Sequence, residues 1–143
     1  MSFVEQTYCQ IAAPGKGVLN NWFYSYPTKN NERKFYTLHI HSVYVFGVPT
    51  HHDLGPIGIL SDQIRLESTY HTFSKNPKNQ LLFFGILQGG QNHTINTFEQ
   101  NFIRFQGDPK TIEFKLCKLD DNLNFVTLGH SAVCNITLEC TIN

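Results

Sequence analysis

The sequence lacks long apolar runs, and it carries no excess of charge of either sign. No window approaches the roughly eighteen consecutive apolar residues that a membrane-spanning helix needs. Its eleven basic residues balance eleven acidic ones, and no basic cluster occurs. We therefore expect neither a membrane nor a nucleic acid as partner. A surface with so few charges also has little to desolvate when subunits pack together.

Paired cysteine motifs and a secretory signal are missing as well. The first residues have neither the basic start nor the apolar run of a signal peptide. We therefore expect reduced thiols without a disulfide, and a reducing compartment such as the cytoplasm. Two Asn-x-Thr patterns for glycosylation are then incidental. The four cysteines, none of them in a Cys-x-x-Cys pair, are Cys9, Cys117, Cys134 and Cys140.

The sequence is rich in the alternation that is typical of β-strands. From Phe35 to Phe46 the even positions are apolar except for Ser42, as in a half-buried strand. About eight or nine such segments, separated by turns and without a convincing amphipathic helix, predict an all-β fold. We expect a single β-sandwich, most simply an eight-stranded jelly roll. The last strand is the most regular, and its expected buried face carries Cys134, Ile136, Leu138 and Cys140.

The length of 143 residues fits one domain. Residues 35–143 contain the clearest strands and are assigned to the β-sandwich domain. Residues 1–34 are the least regular part, although the segment from Phe3 to Ile11 could form a strand. We interpret residues 1–34 as an irregular N-terminal arm or an edge segment.

No constellation of residues predicts an enzyme. His39 and His41 share one face of the strand at 35–46, as a metal-binding pair in a cupin-type jelly roll would. The cupin motif places a Glu shortly after the second histidine, where this chain has Val45 and Phe46. No paired carboxylates or activated cysteine stand out either. We predict no catalytic residue, no metal site and no cofactor, with a cupin-like metal-binding protein as one alternative.

Two apolar features suggest an interaction surface. The aromatic cluster around Trp22 fits an edge strand that covers the core, or a platform that stacks on sugars or a partner. The segment from Leu81 to Leu87 is apolar on both faces, so one face needs a cover, either the N-terminal segment or another subunit. The candidate interaction surface consists of Trp22, Tyr24, Tyr26, His39, His41, Val43, Val45, Leu81 and Phe83.

The C-terminal hairpins carry a resemblance to a known group of proteins. The run from Thr111 to Leu123, followed by Asn135 to Glu139, resembles the closing strands of jelly-roll virion proteins of virophages and polinton-like viruses. It covers roughly the last forty residues and is a pattern of strands. The chain is too short for the tandem jelly rolls of a major capsid protein. The resemblance therefore implies a minor capsid, penton-like, cement or fibre-head component.

The function expected from the sequence is a non-enzymatic structural protein that works by assembling, located in a virion or in the host-cell cytoplasm. Its partners would be other copies of itself and other capsid-type proteins. A carbohydrate- or receptor-binding β-sandwich with a lectin-like head is the alternative of a different class, with glycans as partners.

Overall fold

A computed structural model describes residues 1–48, 55–61, 80–88, 91–97, 103–105 and 109–143. Apart from one short 3-10 helix at Trp22–Ser25, the regular elements in these ranges are strands. This part of the chain contains no helix with the length and apolarity needed to cross a bilayer. The strands are β1 (Ser2–Ala12), β2 (Lys16–Asn20), β3 (Lys34–Val45), β4 (Gly55–Ser61), β5 (Gln80–Leu87), β6 (His93–Ile95), β7 (Ile103–Phe105), β8 (Thr111–Leu119), β9 (Phe125–Thr127) and β10 (Ala132–Ile142).

The strands pair in the antiparallel order β5-β4-β8-β2-β1-β10-β3-β6, while β7 pairs with β3 and β9 with β8. The order divides into two layers, β6-β3-β10-β1 and β2-β8-β4-β5. Among the strands described, the β1–β2, β4–β5 and β8–β9 connections join hydrogen-bonded neighbours, and β6 and β7 share one edge of β3. This is the strand order of an eight-stranded jelly roll. The all-β prediction is confirmed.

The N-terminal segment is not an arm. β1 pairs with β10 from Ser2↔Thr141 to Ile11↔Ala132, and it lies between β10 and β2 in the sheet. The separate assignment of residues 1–34 is therefore wrong for β1 and β2. Its inward positions include Glu5 and Thr7, which are only partly buried, so apolar alternation is weak even though the strand is central.

The last strand follows its sequence pattern. Cys134, Ile136, Leu138 and Cys140 are buried, whereas Asn135 and Glu139 are only partly buried. Thr137, on the outward side, is also buried at 9% exposure, and its hydroxyl lies against His41 Nε2. β10 has β1 on one side and β3 on the other, so its inward face forms the middle of the core.

The exposure predicted for Val43 and Val45 is wrong, because both are fully buried in the core. Asn135 pairs with Ser42 and Ile136 with Ile40, which leaves His41 as the extra residue of a β-bulge in β3. A bulge shifts the parity of the strand, so the inward positions change from even to odd after it. The side chain and the backbone N–H of Asn96 donate to the Ile40 and His41 carbonyls at 3.0 and 2.9 Å.

The placement of Phe83 on the predicted interaction surface is wrong as well. Phe83 is fully buried in the core, not on a surface. Leu82 is the extra residue of a second bulge, since Ile59 pairs with Phe83 but Leu60 with Leu81. On the outer side, Leu81 and Phe125 pack over Gly58, where a Cβ would meet their carbons at 2.8 and 2.7 Å. Phe125 of β9 therefore packs on the same side as Leu81, whereas Ile86 is 50% exposed, so a cover of β5 by another subunit stays a prediction.

Candidate functional site

The two histidines of β3 lie together, but within the described residues they have no third ligand. Their rings meet edge to face with centroids 4.0 Å apart. His41 Nε2 lies 2.6 Å from Thr137 Oγ1, so its ring nitrogen is engaged in a hydrogen bond. His39 is buried, which corrects its placement on the predicted interaction surface, and His41 is half-buried. No group of three or more His, Cys, Asp or Glu suited to a metal occurs among the residues that the structure describes.

The cysteines have the properties of core residues. All four are free and buried. Burial raises the pKa of the Cys9 and Cys117 thiols to about 11, although Lys115 opposes the rise at Cys117. Burial, with Cys9 nearby, also raises the pKa of Cys134 well above its ordinary value. These three thiols are therefore protonated at neutral pH and are poor nucleophiles.

An apolar surface lies on the outward side of β1, β10, β3 and β6, called here the neutral face. Across it Tyr8 pairs with Asn135, Asn135 with Ser42, and Ser42 with Ile95. Tyr8 is 70% exposed and Ile95 63% exposed. Val4, Tyr44 and Phe46 add further exposed apolar area, and the Tyr44 and Phe46 rings pack edge to face.

Charge is rare on the part of the neutral face that β1 and β10 form. Its other outward positions on β1 and β10 carry amide, hydroxyl or aliphatic side chains, and Glu139 is the one charged residue among these outward positions. Glu139 pairs with Val4 near one end of β10, away from the Tyr8 row. The face thus combines exposed apolar side chains with uncharged hydrogen-bonding groups, which suits contact with another protein.

The aromatic cluster predicted from the sequence forms a 3-10 helix, not an edge strand. Phe23 is buried and anchors the helix to the core, while Trp22 is 67% exposed. Tyr24 and Tyr26 are also exposed, so three exposed aromatic side chains lie in or directly after one helical turn that is anchored by Phe23. We call these three side chains the aromatic ledge.

The ledge is fixed by hydrogen bonds from several directions. Asn21 caps the helix by accepting from the Phe23 N–H at 3.1 Å, and its amide donates to the Pro109 carbonyl at 2.9 Å. The Lys34 ammonium donates to the Phe23 and Tyr24 carbonyls, both at 2.9 Å. The turn is therefore tied to the chain before β8 and to the start of β3.

Aromatic packing also supports the ledge on the side that faces the core. Phe3 packs edge to face against Tyr26, with ring centroids 4.8 Å apart, and Tyr26 packs edge to face against Phe23 at 5.4 Å. The three rings join the ledge to the first residues of β1. One side of the Tyr26 ring therefore packs against Phe3 and Phe23, and the rest of the side chain is exposed.

The two Asn-x-Thr patterns lie in poor places for glycosylation. Asn135 is in the middle of β10, and Thr137 is buried and hydrogen-bonded to His41. Asn92 precedes β6, and its amide donates to the Tyr44 hydroxyl. Thr94 of the same pattern is buried. Both patterns are part of the packed sheet.

Sequence reasoning found the ledge but missed the neutral face. Val4 and Tyr8 share the outward side of β1, and this signal was visible as alternation with Gln6 and Gln10. The sequence did not place Ile95 on this face, because β6 has only three residues and is too short to show alternation.

No protein-family model matches this chain, and no curated protein matches its sequence.

Proposed function

We propose that this protein is a non-enzymatic assembly module that associates with other copies of itself through the neutral face. The observation that carries this proposal is the exposed apolar area of Tyr8, Ile95, Phe46 and their neighbours on a sheet face with a single carboxylate on β1 and β10. Each Å² of apolar surface that is removed from water contributes about 25 cal/mol of favourable free energy to association. Because few charges must be desolvated, little of this gain is lost when the face is covered.

A second copy is the occupant that fits the neutral face. Two identical sheet faces can pack across a two-fold axis in the same way as the layers of a sandwich. If this axis runs along the Tyr8 row, perpendicular to the strands, the two copies lie end to end reversed. The end of β10 that carries Glu139 then faces the opposite end of the partner's sheet. The two carboxylates are then held apart, and each faces a neutral region.

The jelly roll, together with the resemblance of residues 111–139 to virion proteins, supports a more specific role. We propose a minor capsid, penton-like, cement or fibre-head component, which would assemble with other capsid-type proteins. A gene position beside capsid genes would support this role, and a position among unrelated enzymes would argue against it.

Sedimentation velocity at micromolar concentration tests self-association. We expect an oligomer for the wild type and a monomer for Tyr8→Glu, since the substitution buries an unpaired charge at the centre of the contact. Val18→Glu is the matched control, because Val18 is 55% exposed on β2, outside the neutral face. It should leave the oligomer intact. A monomeric wild type, or equal effects of both variants, would overturn the proposal.

A further inference from the structure

We propose that the aromatic ledge, formed by Trp22, Tyr24 and Tyr26, is a binding site for a neutral glycan, separate from the neutral face. The ledge belongs to the connection from β2 to β3. In the jelly-roll topology this connection lies at the same end of the sandwich at which β4 ends and β5 begins. Binding residues are often found on such connections, because the sheets beneath hold them in place.

The first argument is that the backbone of the ledge is preorganised for binding. Asn21 and Lys34 fix its backbone, and Ser25 Oγ donates to the Trp22 carbonyl at 3.0 Å. The buried Phe23 prevents the turn from rotating away from the core. A rigid aromatic surface loses little conformational entropy when it binds, so more of the contact energy remains as affinity.

The second argument is the chemistry of the side chains that flank the ledge in the chain. Residues 20–31 supply three exposed asparagines together with the hydroxyls of Ser25 and Thr28. An amide both donates and accepts hydrogen bonds, as a sugar hydroxyl does, whereas a carboxylate only accepts and an ammonium only donates. Apolar C–H faces of a sugar ring can cover aromatic rings while its hydroxyls bond to amides. The exposed asparagines are Asn20, Asn30 and Asn31.

The third argument is that charge at the ledge is already engaged. The Lys34 ammonium donates to two carbonyl oxygens of the turn. The Glu32 carboxylate accepts from the Lys29 backbone N–H at 3.3 Å. Between Asn20 and Thr28 the chain has no charged side chain. The exposed Lys29 and Arg33 lie outside this stretch, so a ligand that covers the side chains from Trp22 to Tyr26 contacts uncharged groups there, which favours a neutral one.

Trp22 is the chain's one tryptophan, so intrinsic fluorescence reports on the ledge directly. The full chain is first tested on an array of neutral oligosaccharides that end in mannose, galactose or N-acetylglucosamine. The best ligand is then titrated while Trp22 emission is recorded. We expect saturable binding with a blue shift as the sugar covers the exposed indole.

Variants distinguish the ledge from the neutral face. Trp22→Ala should weaken array binding by about tenfold or more, and Tyr24→Ala by less, because a large exposed ring supplies most of the contact. Tyr8→Ala is the matched control and should bind as the wild type does. Unfolding curves verify that Trp22→Ala is folded, which is expected since Phe23 is the anchor.

A blank array, or undiminished binding by Trp22→Ala, would overturn the glycan site. Binding restricted to sialylated or sulfated sugars would also overturn it, because charge would then be the basis of recognition. Capture of a protein ligand through Trp22 with no glycan bound would assign the ledge to a different partner. None of these outcomes depends on the oligomeric state measured with Tyr8→Glu.

Discussion

At the scale of single residues, Leu138 shows how much one core side chain contributes. It is buried at the middle of β10 and pairs with Leu38 on one side and Glu5 on the other. Leu138→Ala should lower the free energy of unfolding by about 2–5 kcal/mol, through lost transfer energy and the cavity left behind. Urea unfolding measures this loss. Glu139→Ala, one residue further on the outward face, should change it by only about 0.5 kcal/mol, and equal losses would mean that the register of β10 is misread.

The buried thiols predict an alkaline loss of stability. Burial raises the pKa of Cys9 from an ordinary value near 9 to about 11. Because the unfolded chain releases this proton at lower pH than the folded one, stability is full below about pH 9 and falls as pH rises toward 11. Urea unfolding at several pH values measures the decline. Cys9→Ala should show a shallower decline than the wild type, and an unchanged slope would contradict a buried, protonated Cys9.

At the scale of elements, alternation predicted β10 well and β3 only in part. β10 has no extra residue where it pairs with β1, so one parity faces the core throughout. β3 has the same kind of pattern, but the bulge at His41 reverses its parity and directs Val43 inward and Tyr44 outward. Periodicity alone does not locate a bulge, because the extra residue is defined by its partner strand. For the same reason, alternation did not predict that Phe83 lies in the core, because the bulge at Leu82 changes the parity of β5.

The approach of β5 to β6 brings the two layers together at one edge of the sandwich. A Cβ at Gly85 would lie 2.7 Å from Thr94 Oγ1, 2.8 Å from Thr94 Cγ2 and 3.1 Å from the Ile95 carbonyl. Gly85→Ala should therefore separate the strands and destabilise the fold by about 1–3 kcal/mol. Thermal unfolding measures the change. Adding Thr94→Ala should recover part of the loss, and additive losses in the double variant would show that the two residues are not in contact.

At the scale of the whole molecule, the sequence predicts the jelly roll better than the surfaces on it. Strand count and turns indicated the fold, because alternation marks the buried face of strands such as β10, although they left β1 and β2 outside the sandwich. The neutral face depends on which strands lie side by side, and its Tyr8 row joins residues from β1, β10, β3 and β6. Such long-range pairing is not visible in local sequence. The ledge was found because Trp22, Tyr24 and Tyr26 are neighbours in the chain.

The charge balance of the chain predicts how its assembly responds to salt. Lys and Arg together equal Asp and Glu in number, and the neutral face carries a single carboxylate on β1 and β10. Raising NaCl from about 0.05 M to about 0.5 M shortens the Debye length from roughly 14 Å to roughly 4 Å, which weakens contacts between exposed charges. An interface made by Tyr8, Ile95 and Phe46 has few such contacts to lose. We expect the dissociation constant from sedimentation equilibrium to change by less than about twofold over this range.

Sodium sulfate at matched ionic strength is the control for the salt series. Sulfate strengthens the burial of apolar surface, so it should tighten association relative to NaCl. Val18→Glu, which adds a charge outside the neutral face, should show the same small response as the wild type. A tenfold or greater loss of affinity in NaCl would mean that ion pairs hold the subunits together. The contact would then have to involve the charged outward residues of β2 and β8, such as Lys16 and Glu113, and not the neutral face.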